Sequence, residues 1–430
     1  MARTLEAVNA GVLASRPFWL LSLPSTRAQQ RNCAAAYFGA TVKAVETMRP
    51  QPETGAKIRL GYFSSDLYTH ATAHLVMGLF EAHDRARFDV LGFSLGGDAR
   101  DPVQLQLART MDKFIDCAGL SDTEVVARAR GEGVQIALDL NVHIGRQPRL
   151  FARGVAPLQV NYLGYPGTSG APCYDYVIGD PVLTPFAHSA DYSERIVQLP
   201  HCYQPNSFPR YGALAMPLRK TLGLPDKAFV FCCFNDCFKV LPAVFDRWMR
   251  ILRAVDGSVL WLLQSNAVAV RNLRAEAERR GIGSERLIFA PRLPIGQHLA
   301  RHGAADLFLD TWPYNAHTTA SDALWAGLPI VTCAGDTFAS RVAASALTAA
   351  GIPELITHSL EEYEWRALEL ARDSAQLAGI RERLRLSRAS CALFDTARYA
   401  RNLECAYTEM WARHRAGLAP CALAITEPAT

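Results

Sequence analysis

Two segments of this chain carry residue types that bind and displace an anionic group. The first is Leu307 to Pro329, LFLDTWPYNAHTTASDALWAGLP. An apolar run, Leu307 to Leu309, reads as a buried strand, and Pro313 with Asn315 breaks it before His317, Thr318 and Thr319 open a helix. A helix N-terminus carries roughly half a positive charge and unpaired N–H groups, so it holds a phosphate without a lysine at the same spot. Asp322, one turn further in, is placed to accept hydrogen bonds from ribose hydroxyls. For this turn taken alone the alternative is a plain capped helix, with Thr318 or Thr319 as the cap and Asp322 complementing the dipole. The second segment is Phe229 to Lys239, FVFCCFNDCFK. Its apolar residues read as a central strand, followed by Asn235, Asp236 and Lys239 at the carboxyl end, where open α/β sheets bind ligands. Lys239 is then a point charge suited to a diphosphate leaving group, against the alternative of a solvated surface lysine.

Three further segments place histidines or turn-forming glycines just past strands. In SSDLYTHATAHL a strand ends at Ser64, and His70 and His74 stand four apart, on one face if a helix has begun by then. Histidine is the usual side chain for taking a proton from a hydroxyl at physiological pH, so His70 is a candidate base; a loop histidine bonded to its neighbours is the alternative. His74 is assigned to packing and capping. His143, in LDLNVHIGR, follows another buried strand. In LGYPGTSG, Leu163 to Gly170, glycines such as Gly164 permit positive φ and close backbone approach, and Pro166 fixes the turn. A purely structural tight turn stays open there.

The elements that must position these groups alternate regularly. Strands are expected at Ile58 to Phe63, Phe88 to Leu95, Ile136 to Leu140, Val160 to Leu163, Tyr176 to Ile178 and Ile196 to Leu199, with helical segments between them. A second series, Phe229 to Phe234, Val259 to Leu263, Leu287 to Ala290, Leu307 to Leu309 and Ile330 to Cys333, follows a Pro-containing stretch, Pro205 to Pro225, read as a linker. Such alternation argues for parallel sheets with helices on both faces. Residues 1–56 have helical composition around Pro17, with Pro50 and Pro52 marking the entry to the first strand. The expected division is a helical N-terminal segment over 1–56, a first lobe with its linker over 57–217, a second lobe over 218–395, and a C-terminal helix and tail over 396–430.

Read together, GYFSSDLYTHATAHLV, QVNYLGYPGTSGAPCYDYVIGD, FNDCFK, SVLWLLQSNAVAVRNLRAEAERRGI, RLIFAP, LFLDTWPYNAHTTASDALWAGLPIVT and FASRVAAS resemble the catalytic region of the O-GlcNAc transferase and SPINDLY family, glycosyltransferase family 41. The match runs in order from about Arg59 to about Trp365. The resemblance implies a GT-B arrangement, two doubly wound α/β lobes facing one cleft. It implies that His70 lies in the active site as a candidate base, that His143 lies near the donor sugar, and that the loop with Gly164 and Pro166 borders sugar or acceptor. It implies that the Ala290–His298 stretch receives the nucleobase, with backbone groups around Arg292 and Leu293 reading a base edge. Some positions depart from the family pattern. Val142 and Ile144 stand where relatives commonly place Gly and a hydroxyl residue, and Ile295 stands where animal relatives have a lysine. Asp236 stands where relatives have an uncharged amide, and its carboxylate repels a diphosphate unless Arg292 or another cation compensates. Family members often carry helical repeats upstream; residues 1–56 hold about one helical pair, short of the about three repeats a free-standing solenoid needs. Whether a helical-repeat partner or an oligomer supplies the rest stays open. The insertion that animal relatives carry between the lobes does not fit the short linker.

Composition excludes several other classes. The 430 residues, half of them hydrophobic, suffice for two cores. A formal charge of +4 without blocks of like charge indicates neither nucleic acid nor an anionic membrane surface. No apolar stretch approaches the ~20 residues needed to span a bilayer, and a signal-peptide pattern is lacking. The eleven cysteines lie in apolar runs or scattered, which suits a reduced cytoplasm, and Cys173, His201 and Cys202 lack zinc-ligand spacing. The expectation is a cytoplasmic, inverting, metal-independent glycosyltransferase that moves N-acetylglucosamine from UDP-GlcNAc to Ser or Thr hydroxyls of proteins, with no cofactor. The alternatives are transfer of glucose or fucose, including to Asn, and a nucleotide-sugar-binding protein that no longer transfers. Epimerisation of a sugar nucleotide on a similar fold is more distant. In the first reading Lys239, Thr318 and Thr319 hold the diphosphate with Asn235 and Asp236 beside them, His317 orients the donor, Asp322 binds ribose, and His298 closes the base-reading stretch.

Overall fold

The computed structural model describes residues 1–46, 49–51, 55–207 and 216–428. Pro52 and residues 208–215 of the expected linker lie outside the described residues. Two compact units divide the chain, Met1–Ser207 with Asp395–Thr430, and Phe208–Phe394.

In the first unit the strands are β1 (Ile58–Ser64), β2 (Phe88–Ser94), β3 (Lys113–Asp116), β4 (Ile136–Asp139), β5 (Leu158–Asn161), β6 (Tyr176–Gly179) and β7 (Arg195–Gln198). In the second they are β8 (Val230–Cys233), β9 (Val259–Leu263), β10 (Leu287–Ala290), β11 (Leu307–Leu309), β12 (Ile330–Cys333) and β13 (Ile356–Thr357); β14 (Leu423–Ala424) returns to the first. The first sheet runs β14-β7-β6-β5-β4-β1-β2-β3 and the second β10-β9-β8-β11-β12-β13. Their neighbours pair in parallel, for example Leu60 with Ile136 between β1 and β4, and Phe308 with Cys232 between β11 and β8. Both sheets therefore reverse their winding once, between β1 and β4 and between β8 and β11. Outside the carboxyl ends of strands at such a reversal, loops part and leave room for a ligand. The segments that open there are those after Ser64, Asp139, Cys233 and Leu309.

The central strands form because runs such as Val230–Cys233 and Ile136–Asp139 are buried along their whole length, as parallel strands covered on both faces must be. The strand expected at Val160–Leu163 begins earlier, at Leu158, and ends before Leu163, whose φ of 72° takes the chain out of the sheet. β3, β13 and β14 are short sheet-edge segments, and no apolar run announces β3 or β13. The C-terminal helix, Thr396–Arg415, belongs to the first unit. Asp395 caps it by accepting from the Arg398 amide. On its buried face Glu404 Oε1 accepts from His83 Nδ1 at 2.9 Å, His83 Nε2 meets the Tyr62 hydroxyl at 2.8 Å, and Tyr62 meets Tyr407 at 3.1 Å. This polar chain ties the helix to β1 with each buried group satisfied. Trp248 and Trp261 anchor the core of the second unit.

Candidate active site

In the second unit the loops after β8 and β11 are joined by Asp310, a buried carboxylate at the end of β11. Its Oδ1 accepts from the Thr311 amide at 2.7 Å, the Ala316 amide at 2.6 Å and Asn235 Nδ2 at 3.2 Å, and its Oδ2 from the Thr332 hydroxyl at 2.6 Å. Burial nevertheless pushes its acid up, to about 6. Asn235 is spent inside this network: Nδ2 also donates to Thr311 Oγ1 at 2.7 Å, and Oδ1 accepts from the Thr319 hydroxyl. Sequence reasoning missed Asp310; the signal was a carboxylate set directly after a buried strand in LFLD.

Lys239 ends a short 3-10 turn, Cys237–Lys239. Its ammonium donates to the Asn315 carbonyl at 2.9 Å and lies 3.8 Å from the centre of the Tyr314 ring. Burial pulls it down to about 8, and the charge of Asp310 opposes that shift. The helix Thr318–Trp325 starts beside it, with His317 at the N-cap and no side-chain cap. Among the described residues none accepts from the Thr318 and Thr319 amides. His317 Nε2 donates to the Ala339 carbonyl at 3.3 Å, so its Nδ1 lone pair is the acceptor; burial and the Lys239 charge hold the ring neutral.

Asp236 does not stand bare. Its Oδ1 caps the short turn by accepting from the Cys237 amide at 2.8 Å and takes the Ser265 hydroxyl at 3.0 Å, while Oδ2 pairs with Arg292 at 2.9 Å. The compensation that a diphosphate would require is thus present. Arg292 is exposed and Leu293 half-buried, in the coil between β10 and the helix Ile295–Arg301. Inside that helix Arg301 is 1% exposed; it donates to the Pro291 carbonyl at 2.5 Å and to His298 Nδ1 at 2.6 Å. A guanidinium only donates, so the His298 proton sits on Nε2, which faces Asp322 Oδ2 at 3.5 Å. Burial and the Arg301 and Arg292 charges push His298 down to about 3. Asn235, Asp236, Lys239, Arg292, His298, His317, Thr318, Thr319 and Asp322 therefore share one polar patch. No sequence signal marked Arg301.

In the first unit His70 caps the helix Ala71–Ala82: Nδ1 accepts from the Thr72 amide at 3.3 Å. The capping expected of His74 thus falls to His70, because His70 keeps extended dihedrals (φ −147°, ψ 157°) and the helix begins one residue later. Asp66 Oδ2 lies 3.8 Å from the same His70 nitrogen. Past β4, Asp139 Oδ1 accepts from the Asn141 and Val142 amides at 2.9 Å each, and Val142 takes φ 46°, a conformation that a β-branched residue rarely adopts. This is the backbone for which the family resemblance implies Gly. His143 Nε2 donates to the Ser169 carbonyl at 2.8 Å, and burial pushes the ring down to about 4. It is thus a neutral histidine of fixed tautomer, edge-on to Tyr165 and Tyr37. Gly164 passes so close to Leu140 that a Cβ would sit 1.8 Å from its carbonyl oxygen. Pro166 is buried within the loop. The loop's far end is held by Glu194, which accepts from Thr168 Oγ1 at 2.6 Å and the Ser169 amide at 2.7 Å.

Comparison with known proteins finds similarity along most of the chain. The model of a family described as Glycosyl transferase family 41 matches residues 41–205 and 206–403. A probable UDP-N-acetylglucosamine–peptide N-acetylglucosaminyltransferase of Arabidopsis thaliana is 34% identical over 96% of this chain and 44% of its own length. A probable enzyme of the same description from Petunia hybrida, SPINDLY, is 30% identical over 84% of this chain and 39% of its own. The chain therefore spans less than half the length of these curated relatives. Among solved structures, a mutant of the Thermobaculum terrenum O-GlcNAc transferase superposes with a TM-score of 0.83 at 31% identity, covering 95% of this chain and 77% of that one. By the extent of these matches and by its two doubly wound units, the chain belongs to glycosyl transferase family 41.

Proposed function

We propose that the chain is an inverting, metal-independent glycosyltransferase that moves N-acetylglucosamine from UDP-GlcNAc to Ser or Thr hydroxyls of proteins. The observation that carries this reading is the anion cradle of the second unit, Lys239 beside the uncapped start of Thr318–Trp325. The names of the relatives supply the donor and the acceptor class. In the reaction the acceptor oxygen attacks the anomeric carbon on the face opposite the diphosphate, and its proton passes to His70. The bond from that carbon to the phosphate oxygen breaks, and its electron pair leaves on UDP. Lys239 and the Thr318 and Thr319 amides meet the charge that develops there, which is where fixed donors lower a barrier most. Asp322 and His298 hold the nucleoside, and Arg292, paired with Asp236, lies beside it.

The test incubates the chain with UDP-GlcNAc, UDP-glucose, GDP-fucose or no donor, together with a lysate of its host. Free UDP and a mass gain on Ser- or Thr-bearing peptides are expected with UDP-GlcNAc. Nucleotide release without a peptide product, or a product with another donor alone, overturns the assignment.

A further inference from the structure

The carboxylate nearest His70 has no cation to balance it. Asp66 is largely shielded from solvent, and among the described residues no lysine or arginine pairs with it; the ionisable partner within ion-pair distance is His70 Nδ1, at 3.8 Å. A shielded carboxylate without a counter-charge is unusual enough to need a reason. Its position is fixed from behind. Asn141 Nδ2 donates to Asp66 Oδ2 at 2.5 Å, while Asn141 Oδ1 accepts from Ser64 Oγ at 2.9 Å, the Ser65 amide at 2.8 Å and Gln147 Nε2 at 2.8 Å. Asn141 is therefore a buried relay between the ends of β1 and β4, aimed by the Asp139 turn that forces Val142 to positive φ.

His70 itself is loosely held. Its bond to the Thr72 amide is long at 3.3 Å, and it requires a bare Nδ1, which puts the proton on Nε2. In that form the outward nitrogen cannot take a proton from an acceptor. A small rotation that trades Thr72 for Asp66 reverses the arrangement: Nδ1–H donates to the carboxylate and Nε2 becomes the bare nitrogen. Solvent carries the exchange, since His70 is 43% exposed, one proton leaving Nε2 for water as another reaches Nδ1. Asp101, the N-cap of the helix Pro102–Thr110, also faces this loop and is engaged by Thr69 through its amide at 3.0 Å and its hydroxyl at 2.6 Å.

We propose that Asp66, set by Asn141, is the positioning residue for His70, which it holds in the Nδ1–H tautomer so that Nε2 accepts the acceptor hydroxyl proton. This rests on the transfer reading above. When the proton arrives, the charge is shared across the His70–Asp66 pair; a base oriented by a third group follows the logic that activates other nucleophiles.

The experiment is a double-mutant cycle on the whole chain with UDP-GlcNAc and a peptide it modifies. Asp66→Asn keeps an oxygen for Asn141 and removes the charge; kcat is expected to fall by about 10- to 100-fold with the donor KM unchanged, and Asp66→Glu to recover part of the loss. The Asp66→Asn/His70→Ala pair is expected to be no slower than His70→Ala alone. Losses that multiply, or wild-type kcat for Asp66→Asn while His70→Ala is slow, overturn the role of Asp66 and leave the base assignment standing. Wild-type kcat for His70→Ala overturns both. Independently of any variant, ¹⁵N spectra of His70 are expected to show a bare Nδ1 in the free protein and Nδ1–H with UDP and peptide bound. A bare Nδ1 in both states overturns the proposal.

Discussion

At Lys239 two forces act against each other. Burial favours the neutral amine, and Asp310 and the Tyr314 face favour the cation; the balance leaves the ammonium at about 8, against an ordinary value of 10.5. In the proposed site a diphosphate binds the protonated form, so its affinity is present below that point and is lost as pH rises through it. UDP affinity, measured by calorimetry, is expected to be present near pH 7 and to fall by up to about tenfold per unit above about 8. Lys239→Arg, protonated throughout, is expected to abolish the slope. A slope that persists in the arginine variant would place the titrating group elsewhere. At Asp236 the sequence argues for repulsion of the donor, whereas the structure gives the carboxylate to Arg292, Ser265 and the Cys237 amide. Asp236→Asn retains an acceptor for the amide and releases Arg292. Because the pair is exposed, stability should change by less than about 1 kcal/mol, while UDP affinity should rise by roughly threefold. Weaker binding would mean that the pair holds the Arg292–Leu293 coil in its binding position.

The turn after β4 shows how far an element can be read from its residues. Left-handed φ costs a non-glycine residue about 1–2 kcal/mol, and Val142 bears that cost while fully buried. Val142→Ala removes buried methyl groups worth about 0.8 kcal/mol each and keeps most of the strain, whereas Val142→Gly removes one carbon more and relieves it. Backbone entropy works against glycine by roughly 0.5–1 kcal/mol. The terms sum to an unusual order, in which the glycine variant melts no lower than the alanine variant. A glycine variant that melts several degrees below alanine would show that Asp139 and Asn141 relax the turn in the wild type. The resemblance marked Val142 as standing at a glycine position, and LDLN marked the strand end; neither revealed that Asn141 would be the relay to Asp66, because its partners Ser64, Ser65 and Gln147 come from two separate segments. The same holds for Asp310, whose partners span Asn235 to Thr332. A central strand such as β8 is legible because burial on both faces makes its sequence continuously apolar. β13, two residues long, leaves no such run.

Across the whole molecule, the candidate groups divide between two units that share one winding pattern, each with its polar residues past the strands that flank the reversal. That division has a thermodynamic consequence that needs no knowledge of how the units are arranged. The groups proposed to meet the diphosphate and nucleoside lie in the second unit, so Lys239→Met and Asp322→Ala should weaken UDP binding, each by about 10- to 100-fold, and slow transfer accordingly. Groups assigned to the acceptor lie in the first unit, so His70→Ala should leave the UDP dissociation constant within about twofold while lowering kcat. Calorimetry and peptide mass spectrometry on the same samples separate the two classes, and a first-unit variant that lost UDP affinity would refute the assignment of halves. Metal dependence is tested on the same footing. In the proposed chemistry the charge on the leaving diphosphate is met by one ammonium and by the amides of a helix start, so turnover and UDP affinity should both survive excess EDTA. If chelation stopped turnover and Mg²⁺ or Mn²⁺ restored it, Lys239 and the Thr318 and Thr319 amides would be insufficient for the leaving group. If chelation weakened UDP binding as well, the cation would have to belong to the donor complex itself, and the diphosphate cradle would need to be rebuilt around it.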